Sequence, residues 1–155
     1  MNSTFEAIIA SFEPKLQQLT AMPLCDPLAL PADAPIAGVY VLFEGDKPLY
    51  VGRSNRLRKR LGNHCREGAT HKMAAFAFRL ARIETGNLKA TYRPEGSRSA
   101  LMNDPTFAQA FHEAKSRIRR MRVRYVDEAQ PTHQALLEIY VAIALKTPFN
   151  DFDTH

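Results

Sequence analysis

The strongest pattern in the chain is a pair of short runs of β-branched and aromatic residues. The first run covers Val39–Phe43 and the second covers Leu49–Val51. Between them lie Gly45 and Asp46, residue types that tight turns require, followed by Pro48. This pattern predicts a β-hairpin.

Helical periodicity precedes the hairpin. Residues 3–20 open with the sequence of a capping box and repeat apolar side chains three or four positions apart, which predicts one amphipathic helix. Four prolines follow within residues 21–36, and they favour an extended segment that leads to the first strand. Nothing in these first 36 residues carries candidate chemistry.

The pattern after the hairpin alternates between helices and loops until one more strand appears. It predicts a helix from about Arg56 to Cys65 capped by Asn55, a buried helix over 71–84, a long loop over 85–104, a helix over 105–119 capped by Asp104, a strand over 121–126 and a last helix containing 135–145. The strand is expected to pair with the hairpin. The fold class is therefore α/β, a small three-stranded antiparallel sheet flanked by helices, with a helical insertion before the third strand. We expect one domain over 1–155, with an N-terminal extension over 1–36 and a core over 37–150.

The last helix is apolar all round except for one carboxylate, Glu138. An apolar circumference predicts burial. A buried carboxylate must meet a cation, reach solvent or stay protonated, because burying the unpaired charge costs too much free energy.

Basic residues are concentrated in two segments. The net charge is +5, and each of the segments 53–66 and 115–124 holds six Lys or Arg residues and no acidic residue. Such local concentration is typical of a surface that binds a polyanion, although two solvated helix faces would give the same pattern. Two distant cysteines without metal-ligand spacing, and no long apolar run, predict a cytoplasmic protein that does not associate with membranes.

Together these features resemble the GIY-YIG nuclease family. Gly38-Val39-Tyr40 corresponds to the first signature of that family and Tyr50-Val51-Gly52 to the second, with valine in place of isoleucine in both. An ordered set then follows: Arg53, Arg60, His64, Glu138 and Asn150. The resemblance covers roughly residues 36 to 150 and implies a stand-alone nuclease domain that cleaves DNA, with RNA not excluded.

The resemblance also implies a site. Its catalytic residues would be Tyr40, Tyr50, Arg53, Arg60, His64, Glu138 and Asn150. Tyr40 would activate the attacking water, Glu138 would hold one Mg²⁺ or Mn²⁺, and arginines would bind the phosphate. A phenol with an ordinary pKa of about 10 is a poor base at neutral pH, so a nearby cation would have to lower that pKa. The predicted nucleic-acid-binding residues are Arg53, Arg56, Arg58, Lys59, Arg60, Arg122 and Arg124.

Two other classes of function stay open at this point. The chain could be a catalytically inactive module that binds nucleic acid through the same basic surface. It could also be an interaction protein whose arginines pair internally. An intact set of site residues argues against both, since an inactive relative would usually have lost one of them.

Overall fold

The structure is a computed structural model that describes residues 1–88 and 97–152. Its contacts divide the chain into two compact units. The first contains residues 1–58 and 121–155, and the second contains residues 59–120.

A three-stranded antiparallel sheet forms the centre of the first unit, as the sequence predicts. Its strands are β1 (Gly38–Glu44), β2 (Lys47–Ser54) and β3 (Arg122–Asp127), in the order β2-β1-β3. Gly45 adopts a positive φ of 63° in the turn between β1 and β2. Glycine takes that conformation without strain, which explains its place in the predicted hairpin.

The register of the sheet determines which side chains share a face. Tyr40 lies opposite Gly52 on β2 and opposite Tyr125 on β3. Since directly opposed residues point to the same side of an antiparallel sheet, these three share one face. Val39 lies opposite Arg53 and Val126, so these three share the other face.

Three helices belong to the first unit: α1 (Ser3–Ala10), α2 (Phe12–Ala21) and α7 (Pro131–Leu145). Phe12 and Leu19 of α2 and Leu137 and Val141 of α7 join Val39 and other strand residues in one buried core cluster. The prediction of a single helix over 3–20 is wrong, because the chain breaks at Ser11. Pro14 explains the break: its ring would clash with the carbonyl group four residues earlier, and it has no N–H to donate. The cap of α1 is Asn2, whose side chain accepts from the Phe5 N–H at 3.0 Å.

The last helix is buried on one side only, which corrects the expectation of burial all round. Gln134, Leu137, Val141 and Ala142 are buried, but Ile143 is 70% exposed. Solvent therefore reaches one side of a helix that has Glu138 as its only charged residue among residues 135–145. An apolar composition indicates that a helix packs against other elements, but it does not determine how much of the helix surface those elements cover.

The second unit is helical. Helix α3 (Leu57–Cys65) begins in the first unit and continues into the second, which also contains α4 (Ala75–Glu84), α5 (Arg98–Met102) and α6 (Pro105–Arg119). The bounds of α6 and its cap at Asp104 agree with the prediction, since Asp104 Oδ1 accepts from the Thr106 N–H at 3.0 Å. The helix predicted from residue 71 begins at Ala75, and the predicted loop over 85–104 contains α5. The middle of that loop, residues 89–96, lies outside the described residues.

Asn55 does not cap α3 as expected. The Ser54 hydroxyl accepts from the Arg56 N–H at 2.9 Å, and the Asn55 side chain instead accepts from Gln134 on α7. No helix within residues 1–88 and 97–152 is long and apolar enough to cross a membrane.

Candidate active site

Tyr40 and Gly52, one from each predicted signature, are in direct contact. The Tyr40 side chain is 0% exposed and lies over Gly52, its partner in the sheet. A Cβ atom at position 52 would overlap the Tyr40 hydroxyl and ring. Gly52 is therefore needed for the space it leaves to the phenol. Tyr50, two residues earlier on β2, is half-buried.

Gly38 has a different reason to be glycine. A Cβ atom at this position would overlap the main-chain carbonyl oxygen of Val126 on β3. The lack of a side chain lets β1 and β3 approach closely at the start of the first signature.

The Asn150 side chain binds the backbone of β2, an edge strand of the sheet. Its Oδ1 atom accepts from the Val51 N–H at 2.8 Å, and its Nδ2 atom donates to the Val51 carbonyl at 2.8 Å. The Thr147 hydroxyl donates to the same Oδ1 atom at 2.8 Å, and the Phe149 N–H donates to the Leu49 carbonyl at 3.2 Å. Asn150 thus satisfies backbone groups on the edge of β2 that a fourth strand would otherwise bind.

Glu138 lies beside Arg53. Oε2 of Glu138 is 3.5 Å from Nε of Arg53, and the side chains of Arg53 and Glu138 are 43% and 22% exposed. Glu138 is therefore half-buried, faces a cation and is within reach of solvent, which are two of the three conditions that the sequence allowed for this carboxylate. A half-exposed pair of this kind contributes little to stability by itself.

Gln134 connects these elements, and its role was missed in the sequence. It lies one turn before Glu138 on α7 and is buried. Its Nε2 atom donates to Asn55 Oδ1 at 3.0 Å and to the Glu128 carbonyl at 2.6 Å. The bond to Asn55 holds α7 against the segment that follows β2, and the bond to Glu128 holds it to the segment that follows β3. The available signal was a second polar residue four positions before Glu138, on the same side of an apolar helix.

Arg60 and His64 belong to the second unit, whereas the other predicted site residues belong to the first. Arg60 Nη1 donates to the Met73 carbonyl at 3.1 Å. His64 is fully buried, with its ring centroid 6.4 Å from that of Phe76 in an edge-on arrangement. Burial, and then the positive charge of Arg60, lower the pKa of His64 to about 3. The imidazole is therefore neutral at physiological pH.

Several predicted nucleic-acid-binding residues have contacts within the first unit. Arg58 donates to the Leu30 carbonyl at 3.0 Å and also to the carbonyl of Pro31, so it holds the proline-rich segment. Nε of Arg124 donates to the Met22 carbonyl at 2.8 Å, and its guanidinium lies 4.9 Å from the centre of the Phe43 ring. Arg122 donates to the carbonyl of its neighbour Met121 at 3.1 Å. Arg56 and Lys59 are exposed.

The residues along β2 could bind a magnesium ion only through a single carboxylate, that of Glu138. Within the part of the chain that the structure describes, no three His, Cys, Asp or Glu side chains group to hold a metal. Mg²⁺ is commonly bound by one or two carboxylates, with waters and substrate phosphates completing the octahedron. Glu138 supplies one carboxylate of this kind, and its side chain is 22% exposed.

The two signatures lie on the hairpin of this sheet, and the sequence around them matches a known family. Residues 36–93 match the family model of the GIY-YIG catalytic domain, and the three-stranded sheet with its flanking helices is consistent with that fold. The similarity to the GIY-YIG catalytic domain is thus established for residues 36–93. Glu138 and Asn150 lie beyond the matched residues.

Among curated proteins the chain is similar to UvrABC system protein C. It is 46% identical to the protein from Pseudomonas paraeruginosa and 44% identical to that from Pseudomonas putida, each over 50 residues. In both cases the match covers 31% of this chain and only 8% of the relative. No solved structure matches the chain significantly.

Proposed function

We propose that this protein is a divalent-metal-dependent endonuclease that hydrolyses phosphodiester bonds in DNA. One observation carries the proposal. The four residues Tyr50–Arg53 of β2 gather partners from three other segments: Tyr40 over Gly52, Asn150 on Val51, and Glu138 beside Arg53. Segments far apart in the sequence thus contact one short strand, with Tyr40 on one face of the sheet and Arg53 on the other.

Phosphodiester hydrolysis requires neutralisation of the charge that builds on the phosphate and help for the leaving oxygen. Arg53 is more than two-fifths exposed, so its guanidinium is accessible to a phosphate oxygen. Glu138 would hold the metal ion. When bound, Mg²⁺ or Mn²⁺ supplies Lewis-acid stabilisation of the developing negative charge.

The two phenols differ in their access to solvent. The resemblance assigns water activation to Tyr40, but Tyr40 is fully buried over Gly52. Tyr50 is half-buried, so solvent reaches part of this residue, whereas Tyr40 is closed to solvent. We therefore assign activation of the attacking water to Tyr50. Tyr40 would act as a positioning residue, because its ring packs against β2 at Gly52.

Cleavage and binding by the same preparations test the proposal. Glu138→Ala should abolish metal-dependent nicking of supercoiled DNA and leave DNA binding intact, because the carboxylate serves the ion and the arginines serve the phosphates. If a phenol ionises to activate the water, the wild-type rate should rise with pH through the neutral to alkaline range. Tyr50→Phe should lower kcat and remove this rise, while Tyr40→Phe should slow the reaction and keep the rise.

Three results would count against these assignments. A Glu138→Ala variant that cuts at the wild-type rate removes the metal role of Glu138. Loss of the pH dependence in Tyr40→Phe would show that Tyr40, and not Tyr50, activates the attacking water. A wild-type protein that binds DNA but forms no product with Mg²⁺ or Mn²⁺ is an inactive binding module.

A further inference from the structure

Among the described residues of the second unit, three basic side chains lie near the buried ring of Phe78. The guanidinium carbon of Arg98 lies 4.7 Å from the ring centroid, and that of Arg82 lies 5.7 Å from it. The His71 ring centroid is 5.9 Å from that of Phe78. Arg98 Nη1 donates to the His71 carbonyl at 3.0 Å, which ties α5 to the segment before α4.

Within residues 1–88 and 97–152, Arg82 is a buried cation without a compensating anion. It is 8% exposed, and its buried Nη2 atom has no hydrogen-bond acceptor among these residues, just as the buried Nδ1 atom of His71 has no partner among them. No carboxylate in the described ranges forms an ion pair with Arg82 or Arg98. Burial, and then the charge of Arg98, lower the pKa of Arg82, since the two guanidiniums repel each other.

A second buried cation in the same unit, Lys115, has hydrogen-bond acceptors within the fold. Lys115 is 2% exposed and lies 5.0 Å from the centre of the Phe111 ring, in the aromatic cluster that contains Phe78. Its ammonium group donates to the Glu67 carbonyl at 2.6 Å and to the Ala69 carbonyl at 2.9 Å. Arg82 is similarly buried and has more N–H groups, but the described part of the chain offers its Nη2 atom no acceptor.

We infer that Arg82, Arg98 and His71 form a phosphate-binding site in the second unit, in addition to the residues gathered along β2. An unpaired buried cation is costly, and an anion that enters the cluster removes that cost. Two guanidiniums present planar forks of N–H donors, which match the oxygens of a phosphate group. Arg98 is exposed, so the cluster opens to solvent on its side. The phosphate belongs either to a nucleic-acid backbone or to a free phosphate ion.

Thermal unfolding with inorganic phosphate, against sodium chloride at matched ionic strength, measures the site directly. A ligand that binds only the folded state raises Tm as its concentration passes Kd. We expect this rise in the wild type and its loss in Arg82→Met, which keeps an unbranched apolar chain against Phe78. Arg79→Met is the matched control, because Arg79 lies one turn earlier on the same helix and outside the cluster. If Arg82→Met does not fold, Arg98→Met replaces it, since Arg98 is exposed.

Duplex oligonucleotide binding distinguishes the two sources of phosphate. Measured without divalent ions, affinity should fall about tenfold in Arg82→Met if the site holds a backbone phosphate, and the slope of the salt dependence should decrease by about 0.9. Unchanged oligonucleotide affinity, together with loss of the phosphate effect on Tm, identifies the ligand as free phosphate.

The inference is overturned if neither phosphate nor oligonucleotide binding depends on Arg82. It is also overturned if Arg79→Met weakens binding as much as Arg82→Met, because the effect would then reflect overall charge. These readouts do not involve cleavage, so they hold whether or not the proposed nuclease activity is found.

Discussion

Gly52 illustrates a residue whose identity is set by a neighbour. Its backbone is not in the left-handed region, so glycine is not required for conformational freedom. The Tyr40 ring occupies the space that any Cβ atom would need. Tyr40 of the first signature can therefore pack in this position only if residue 52 of the second signature has no side chain.

Substitution of Gly52 tests this coupling. Gly52→Ala should destabilise the protein by about 1–3 kcal/mol, because the Tyr40 ring must leave a well-packed position, and nuclease activity should fall with it. Urea unfolding followed by circular dichroism measures the change. Gly68→Ala is the control, since a Cβ atom there meets no atom of the described residues within 4 Å, and its effect should stay within about 0.5 kcal/mol. Equal stability of Gly52→Ala and the wild type would show that Tyr40 moves away at no cost.

His64 should make the protein sensitive to acid. Its folded-state pKa is about 3, against an ordinary value of 6.5. Between those values the unfolded chain takes up a proton that the folded chain does not, so the free energy of unfolding falls as pH falls below 6.5. One such group changes that free energy by at most about 1.4 kcal/mol per pH unit.

Urea unfolding between about pH 7 and pH 4 measures this dependence. His64→Leu should flatten it relative to the wild type, while His112→Gln, at an exposed position, should leave it unchanged. An identical pH dependence in the wild type and His64→Leu would mean that the folded protein protonates His64 readily.

At the scale of elements, the outer strand of the sheet depends on a short segment after α7. Strand β2 is at the edge, and unpaired edge groups invite pairing with other chains. Asn150 and Phe149 bind the backbone of Val51 and Leu49 and take the place of a further strand. The same segment thereby fixes the strand that carries Tyr50 and Arg53.

Asn150→Asp separates the two halves of this contact. The variant keeps an oxygen for the Val51 N–H but turns a second oxygen toward the Val51 carbonyl, which should cost about 1–3 kcal/mol. Faster hydrogen exchange of β2 amides and slower nicking are expected together. Asn103→Asp, at an exposed position after α5, is the control. Unchanged exchange of β2 amides would mean that Asn150 does not hold the strand.

At the scale of the whole molecule, two segments hold twelve of the twenty-one basic residues. We predict that DNA affinity falls steeply with salt, because each neutralised phosphate releases counterions. Arg56→Ala with Lys59→Ala should lower the slope by about 0.9 for each phosphate that the variant no longer neutralises. Arg58→Ala should chiefly reduce stability, since Arg58 binds the carbonyls of Leu30 and Pro31.

Fluorescence anisotropy with a labelled duplex, from about 50 to about 200 mM salt, measures these slopes. The binding is measured on the Glu138→Ala background so that the DNA stays intact. A flat dependence in the wild type would favour the interaction protein whose arginines pair internally.

The sequence by itself determined the hairpin, the third strand, the bounds of α6 and the family resemblance. These depend on signals between near neighbours: the period of apolar residues, turn residues at 45 and 46, and a capping Asp104. The resemblance also indicated which distant residues to consider with the hairpin, although their roles stay predictions. Pro14 was readable as a helix break, and the single helix over 3–20 overlooked it.

Only the tertiary structure decided which groups meet. The contacts of Tyr40 with Gly52, of Arg53 with Glu138 and of Gln134 with Asn55 all join residues that lie on separate elements or segments. Burial has the same origin, because the exposure of Ile143 and the enclosure of Arg82 depend on what packs beside each helix. Local patterns specify elements, whereas contacts across the fold depend on packing that no single segment contains.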